Sequence, residues 1–192
     1  MNKCRIINGV FKRRLIKLPA ISSTRPTSNI VKESIFNVLF HRFYIDFSKS
    51  FVIDFFAGSG ALGIEAISCG CQNVLFIDIN AIAVRCIKDN IRDLKIKNFA
   101  RIRCKKVELI RDNVIWQDSE NYESIVVFMD PPYKEKELLL NQVSRLKSLF
   151  QNKVLTLIIE SDEYVNLEDF DNFHKMKHGN TLITIASKST QI

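Results

Sequence analysis

Prolines, glycines and long apolar runs are scarce in this 192-residue sequence. It contains four prolines and six glycines, and we find no internal repeat, low-complexity tract or Pro/Gly linker. A chain of this length suits about one domain. No apolar run approaches the roughly 20 residues of a membrane-spanning helix. The first 20 residues lack the apolar core of a signal peptide, because lysines and arginines interrupt them. We therefore expect a cytoplasmic protein without a membrane association.

Paired cysteines are missing as well. The five cysteines form no C-x-x-C motif and have no matching histidine spacing, which argues against a zinc site. An odd number of thiols is typical of a reducing compartment. We therefore predict free, mostly buried cysteines and no bound metal.

Acidic residues are absent from positions 1–32, which hold eight basic ones. The whole chain has a formal net charge of +7, so the remainder is close to neutral. A basic arm on a near-neutral body suits a polyanion, with nucleic acid as the first choice. On charge alone, a solvated surface that binds nothing is an equally good interpretation.

Apolar periodicity predicts strands that alternate with helices from residue 51 onwards. This pattern predicts a parallel sheet covered on both faces, with an antiparallel hairpin at one edge. Ligands of such sheets bind beyond the carboxyl ends of the strands, which places the chemistry after Phe55, Asp78 and Asp130. The expected strands are 51–55, 73–78, 99–104, 124–130, 154–160, 171–177 and 181–187.

The segment before residue 51 predicts two smaller features. Residues 3–8 and 11–17 read as short strands around Asn8-Gly9, a strong hairpin signal. Ser28 is placed to cap a helix whose apolar face carries Val31 and Ile35.

A glycine-rich loop follows the first strand of the sheet. Gly58, Gly60 and Gly63 form a G-x-G-x-x-G pattern, which permits a tight turn and exposes the N–H groups at a helix start. Asp78 ends the next strand, where a carboxylate can accept hydrogen bonds from ribose hydroxyls. Asp54 can hold a ligand's amino group or simply end its strand. The loop predicts a nucleoside site but does not choose between NAD and S-adenosylmethionine.

The tetrapeptide Asp130-Pro131-Pro132-Tyr133 is more specific. Pro131 has no N–H, so only its carbonyl is available, and Pro132 holds it in extended geometry. Asp130 and that carbonyl are two acceptors that match the two hydrogens of an exocyclic amino group. Holding the amine localises its lone pair for in-line attack on a methyl group, and Tyr133 offers a flat surface for base stacking. We interpret this motif as a catalytic corner.

Together these motifs resemble the RsmD family of bacterial S-adenosylmethionine-dependent methyltransferases, which act on N2 of a guanine in 16S ribosomal RNA. The similarity runs nearly from end to end. It is carried by RIING at 5–9, KLP at 17–19, RPT at 25–27, VKESIFN at 31–37, DFFAGSGALG at 54–63, DPPY at 130–133 and ES at 160–161.

The resemblance implies a Rossmann-like class I methyltransferase fold with a mostly parallel seven-stranded sheet. It divides the chain into a basic arm at 1–27 and a methyltransferase domain at 28–192. It implies S-adenosylmethionine as the cofactor, S-adenosylhomocysteine as the product and no metal. The implied substrate is 16S rRNA in the 30S subunit or its precursor, with guanine 966 as the family target. We expect a monomer.

The site residues assigned on this basis fall into three groups. Catalysis is assigned to Asp130, Pro131, Pro132 and Tyr133. Cofactor binding is assigned to Asp54, Ala57, Gly58, Ser59, Gly60, Asp78, Asn80 and Val107. RNA binding is assigned to Arg5, Arg13, Arg14, Lys17, Arg25, Pro26 and Thr27.

Two positions depart from the family pattern. Lys105-Lys106 stands where an acidic or amide residue commonly lies near the adenine, so we assign that contact to the backbone or to Val107. Asn8 stands where glycine is frequent, although asparagine tolerates left-handed geometry. Glu160 ends a strand on the active-site side, where it orients substrate or simply finishes the strand.

Other functions share parts of the pattern. A DNA adenine-N6 methyltransferase uses a similar corner, while a protein-glutamine methyltransferase would have asparagine in place of Asp130. A nicotinamide-dependent oxidoreductase shares the glycine loop but needs neither the corner nor the basic arm. A non-catalytic RNA-binding module has no need to retain both motifs.

Overall fold

The computed structural model describes residues 3–21, 28–131, 136–167, 169–179 and 181–189. Two short strands, β1 (Lys3–Arg5) and β2 (Leu15–Lys17), pair antiparallel ahead of helix α1 (Asn29–His41). Ser28 caps α1 as predicted, because its side chain accepts a hydrogen bond from the Val31 N–H. The later elements are β3 (Ser50–Phe55), α2 (Ala61–Ser68), β4 (Val74–Asp78), α3 (Ala81–Leu94), β5 (Ala100–Cys104), α4 (Asp112–Ser119), β6 (Ser124–Met129), α5 (Lys136–Leu149), β7 (Val154–Ser161), β8 (Asn172–His178) and β9 (Thr181–Lys188).

The main sheet has seven strands within the described part of the chain, in the order β5-β4-β3-β6-β7-β9-β8. β3 to β7 are parallel, and β9 runs antiparallel to both β7 and β8. This confirms the predicted fold class, including the antiparallel hairpin at the C-terminal edge. Each predicted strand matches the observed one to within one residue at either end. The strand order reverses between β3 and β6, which opens a crevice at their carboxyl ends.

Apolar side chains from both faces of the sheet form two cores, because alternate residues of a strand point to opposite faces. The α1-side core packs α1, α2 and α3 against Val52, Phe76 and Phe128. The α5-side core packs α4 and α5 against Ile53 and Val127. Such burial on both faces is typical of parallel sheets.

The tip of the N-terminal hairpin differs from the prediction. The strands are shorter than 3–8 and 11–17, because four backbone N–H groups at the tip, those of residues 7, 8, 10 and 11, bond to α2 and not across the hairpin. The N–H groups of Ile7 and Asn8 donate to Glu65, and the Val10 N–H donates to the Ser68 carbonyl at 2.8 Å. Gly9 has a φ of +74°, and a Cβ there would lie 1.8 Å from the Ser68 carbonyl oxygen. Glycine is therefore required for this close approach.

The hairpin is fastened to the body by buried polar groups. Lys32 and Glu65 form an ion pair of 3.2 Å with neither side chain exposed, and the Lys32 ammonium also donates to the Arg5 carbonyl. On the other strand, the Lys17 N–H donates to Asn90 Oδ1 at 2.8 Å. Breaking a buried pair by removing one partner is strongly destabilising. The division of the chain at 27/28 stays a prediction, although Cys4 and residues Ile6 and Ile16 belong to the α1-side core.

All five cysteines are free, as predicted. Cys4, Cys71 and Cys86 are buried and Cys69 is partly buried, whereas Cys104 is exposed. Burial raises the pKa of both Cys69 and Cys71 to about 12.

In the described ranges, no helix combines the length and the apolar composition that crossing a membrane requires.

Candidate active site

The glycine loop connects β3 to α2, and its three glycines have different roles. A Cβ at Gly63 would lie 2.3 Å from the Phe76 ring, so this glycine lets α2 pack closely on β4. Gly60 has a φ of +75° and is the N-cap of α2. Gly58 has a φ of +55°, and a Cβ there would meet nothing closer than the Phe56 carbonyl at 3.9 Å. Gly58 therefore leaves open space in which a ligand can approach the backbone.

Ala57 and Ser59 complete the turn. The Ala57 N–H donates to the Ile77 carbonyl at 3.1 Å, and the Ala57 carbonyl accepts from the Gly60 N–H at 2.7 Å. The Ser59 carbonyl accepts from Asn90 Nδ2 at 3.1 Å. Because Asn90 also bonds to Lys17, one side chain links the loop to the N-terminal hairpin.

Asp54 lies behind this loop and is only 3% exposed. Its Oδ2 accepts a hydrogen bond from the Gly63 N–H at 3.0 Å. Burial raises the pKa of Asp54 to about 8, against the opposing effect of the Gly63 hydrogen bond and with a contribution from nearby Asp78. The carboxyl group thus fixes the start of α2, and its contact with a ligand stays a prediction.

Asp78 joins both sides of the predicted nucleoside site. Its Oδ2 accepts from the Gly58 N–H at 2.8 Å, and its Oδ1 accepts from the Asn80 N–H at 2.7 Å. Asn80 in turn caps α3, because its side chain accepts from the Ile82 N–H. A carboxylate has about four acceptor positions, so Asp78 keeps capacity for ribose hydroxyls.

The surface beside Asp78 contains apolar residues that the sequence prediction missed. Ile79 is 59% exposed and Leu109 is 64% exposed. They follow β4 and β5 at the edge where ligands of such sheets bind. Val107, assigned to the adenine, is buried in the α5-side core, and its carbonyl accepts from Arg145. Its contact with the adenine stays a prediction. An apolar residue directly after the acidic end of a strand is the signal that could have identified Ile79.

The described part of the predicted catalytic corner, Asp130 and Pro131, lies beyond β6, the neighbour of β3. Asp130 follows Met129, which pairs with Phe55 on one side and Ile159 on the other. The pKa of Asp130 is raised well above its ordinary value by burial first, then by the charges of Glu160 and Asp54. All three effects act in the same direction, so this end of the sheet favours a hydrogen-bond donor or a positive charge. Pro132 and Tyr133 lie outside the described residues.

Glu160 was not among the assigned site residues, although its place at the end of β7 was noted. The structure brings it beside Asp130, because β6 and β7 are neighbours in the sheet. A cavity of about 200 Å³ opens on the other side of this edge, between Pro131, Leu139, Tyr164 and Val165. The ends of β6 and β7 are therefore bordered by a carboxylate pair and by a cavity whose lining includes both apolar and charged residues.

The assigned RNA-binding residues lie in two environments. Arg5, Arg13 and Arg14 are exposed, whereas the Lys17 ammonium pairs with Asp93 at 2.7 Å. Arg25, Pro26 and Thr27 lie outside the described residues. Three exposed guanidinium groups on one hairpin are available to phosphates.

The strand order and the arrangement of helices around the sheet define a Rossmann-like class I methyltransferase fold. The family model described as Conserved hypothetical protein 95 matches residues 4–187. The chain belongs to this family, the RsmD family of rRNA methyltransferases.

Two curated relatives illustrate the family. The putative rRNA methyltransferase YlbH of Bacillus subtilis is 37% identical over 174 residues, which cover 91% of this chain and 82% of the relative. Ribosomal RNA small subunit methyltransferase D of Buchnera aphidicola subsp. Baizongia pistaciae is 31% identical over 162 residues, covering 84% and 77%.

Two solved structures share the fold. The putative methyltransferase yhhF from Escherichia coli has a TM-score of 0.71 and 24% identity, and the match covers 99% of this chain and 100% of that one. An RNA methyltransferase from Salinibacter ruber in complex with S-adenosyl-L-homocysteine has a TM-score of 0.57 and 14% identity, with 88% and 96% covered.

No group of three or more His, Cys, Asp or Glu side chains is arranged to hold a metal ion in the part of the chain that the structure describes.

Proposed function

We propose that the protein transfers a methyl group from S-adenosylmethionine to the exocyclic N2 of a guanine in 16S rRNA of the small ribosomal subunit. The observation that carries this proposal is the position of Asp130. It follows the strand next to the glycine loop, at the reversal of strand order. The relatives of this protein that are named as rRNA methyltransferases support ribosomal RNA as the substrate.

The residues at the ends of β3 and β4 fit the cofactor. Gly58 leaves room for the cofactor to approach the backbone of the loop, and the start of α2 directs N–H groups towards the cofactor. Asp78 accepts the ribose hydroxyls, and exposed Ile79 offers an apolar contact to the adenine. When bound, S-adenosylmethionine supplies an electrophilic methyl group whose C–S bond breaks as the new N–C bond forms.

The corner at the end of β6 holds the acceptor amine. Asp130 and the Pro131 carbonyl each accept one of its two hydrogens, which directs the nitrogen lone pair at the methyl group. Fixing both reactants in line supplies much of the rate, because no solvent reorganisation is then required. Tyr133 is proposed to stack on the base.

Asp130 also has a suitable acid–base character. When ionised, it is the stronger hydrogen-bond acceptor for the amine and can take a proton, and its raised pKa makes it a competent proton acceptor after transfer. The nitrogen loses one proton once the N–C bond has formed, and Asp130 is the nearest assigned group to take it. The rate should therefore rise with pH through the raised pKa of Asp130.

The basic hairpin is proposed to anchor the RNA. Arg5, Arg13 and Arg14 meet phosphates, while the target base is splayed from a loop into the site. Lys17 contributes less, because Asp93 already neutralises it. We propose that the protein acts as a cytoplasmic monomer on the 30S subunit or its precursor.

The proposal is tested by transfer of a radiolabelled methyl group to small subunits that lack the modification. Digestion to nucleosides should yield N2-methylguanosine as the labelled product, and Asp130→Ala should slow the labelling about 100- to 1000-fold. Labelled N6-methyladenosine would assign the enzyme to a different amine. Labelling of DNA or protein in place of the subunits would reject the substrate class.

A further inference from the structure

Asp130 and Glu160 lie side by side at the carboxyl edge of the sheet. In the parallel pair β6 and β7, Met129 stands opposite Ile159, so the following residues are neighbours on strands about 5 Å apart. Both side chains point to the α1 face. This follows because Phe128 and Ile158, two residues earlier, pack in the α1-side core.

Glu160 occupies a confined position between β6 and β9. Its register partner on β9, Ile183, is fully buried, and one of its own carboxylate oxygens is buried as well. Its negative charge acts on Asp130. Two carboxylates that are partly removed from water repel each other, and donor hydrogens from a ligand relieve that repulsion.

The two carboxylates match the donor pattern of one purine. Guanine carries N1–H beside its 2-amino group, so adjoining nitrogens present three donor hydrogens. Adenine carries a lone pair at N1 beside its 6-amino group. Building on the proposed function, we infer that Glu160 accepts the N1–H of the target guanine while Asp130 and the Pro131 carbonyl hold its amino group.

Glu160 is thereby the residue that selects guanine over adenine. With the amino group of adenine in the corner, the N1 lone pair would face the Glu160 carboxylate. Both groups are acceptors, so the carboxylate and the ring nitrogen would repel each other. A site built to accept a hydrogen bond strongly rejects an analogue that lacks the donor.

The test compares two bases at the methylated position of reconstituted small subunits. One is guanine, and the other is 2-aminopurine, which keeps the 2-amino group but has a lone pair at N1. For the wild-type protein, kcat/KM should fall about 10- to 100-fold on 2-aminopurine. 2-Aminopurine also lacks O6, but that loss is common to all variants, so the change in preference isolates the N1 contact.

Two variants of Glu160 give distinct signatures. Glu160→Ala should lower kcat/KM on guanine by a similar factor and leave 2-aminopurine nearly unchanged, so that the preference shrinks towards unity. Glu160→Gln keeps the shape, and its amide can accept from N1–H or donate to a bare N1. It should therefore retain guanine methylation and gain activity on 2-aminopurine.

A matched control is Glu123→Gln, an exposed residue just before the opposite, amino end of β6. It should keep the wild-type preference, and the Kd for S-adenosylhomocysteine should be unchanged in all three variants. If both Glu160 variants keep the wild-type preference while N2-methylguanosine is still formed, the inference is overturned and the proposed function stands. If the wild-type protein forms no N2-methylguanosine, the proposed function itself fails.

Discussion

At the ends of β3 and β4, the carboxylates of Asp54 and Asp78 accept hydrogen bonds from backbone N–H groups of the glycine loop and of Asn80. At the ends of β6 and β7, Asp130 instead lies beside Glu160, and burial, followed by the charges of Glu160 and Asp54, raises its pKa. In the first half of the edge, backbone N–H groups bond to both carboxyl groups in the absence of a ligand. In the second half, the proposed function has the target amine donate to Asp130. On this proposal, cofactor binding and reaction are divided between two halves of one edge, and substitutions should separate them.

The largest effect is expected from Asp130→Ala in the reacting half. Loss of one amine acceptor should lower the single-turnover methyl-transfer rate about 100- to 1000-fold, by analogy with removal of one fixed hydrogen-bonding group in other active sites. The Kd for S-adenosylhomocysteine, measured by calorimetry, should change less than about twofold. A parallel loss of cofactor affinity would mean that Asp130 belongs to the binding half.

Asp78→Ala should produce the opposite separation. Both oxygens of this carboxylate hold backbone N–H groups that shape the loop, so the Kd for S-adenosylhomocysteine should rise about 10- to 100-fold. The rate at saturating cofactor should fall far less. Asp78→Asn keeps one acceptor oxygen, so its Kd for S-adenosylhomocysteine should lie between those of the wild type and Asp78→Ala. An unchanged Kd would remove Asp78 from the nucleoside site.

The raised pKa of Asp54 should be visible in the pH dependence of the protein's stability. Its pKa is about 8 in the folded protein against 3.8 for the ordinary group. The folded state therefore binds the proton more tightly, and the free energy of unfolding should fall as pH rises between these values. Relative to the wild type, Asp54→Asn should reduce this fall by about 1–3 kcal/mol. Urea unfolding of the ligand-free proteins at pH 5 and pH 8 measures this change in the free energy of unfolding. The same change in both proteins would contradict the raised pKa of Asp54.

A smaller effect is expected at the basic hairpin, outside both halves of the edge. Neutralising Arg13 and Arg14 together with Lys17 should lower RNA affinity and flatten its dependence on salt, because fewer counterions are released. The two exposed arginines should account for most of the change, since Lys17 is paired with Asp93. A salt dependence equal to that of the wild type would exclude the hairpin from the RNA contact.

Much of this edge could be predicted from the sequence because it depends on local patterns. Alternating strands and helices fix a parallel sheet, and the last residue of each strand then lies at its carboxyl edge. The positions of Asp78 and Asp130 follow directly. The glycine loop likewise has a local signature, and its geometry agrees with it.

The remainder depends on contacts between distant segments. That Glu160 lies beside Asp130 requires β7 to be the neighbour of β6, which alternation alone does not specify. The buried Lys32–Glu65 pair joins two helices and the hairpin, and no spacing in the sequence indicates it. The predicted length of the hairpin strands was wrong because the competing acceptors, Glu65 and Ser68, lie more than 50 residues away in the sequence.

The most direct test of the central claim replaces the target guanine by inosine. Inosine keeps N1–H and O6 but lacks the 2-amino group that Asp130 and the Pro131 carbonyl are proposed to hold. Small subunits with inosine at that position should accept no methyl group, whereas 7-deazaguanine, which retains the amino group, should be methylated at close to the normal rate. Methyl transfer to inosine would contradict the account.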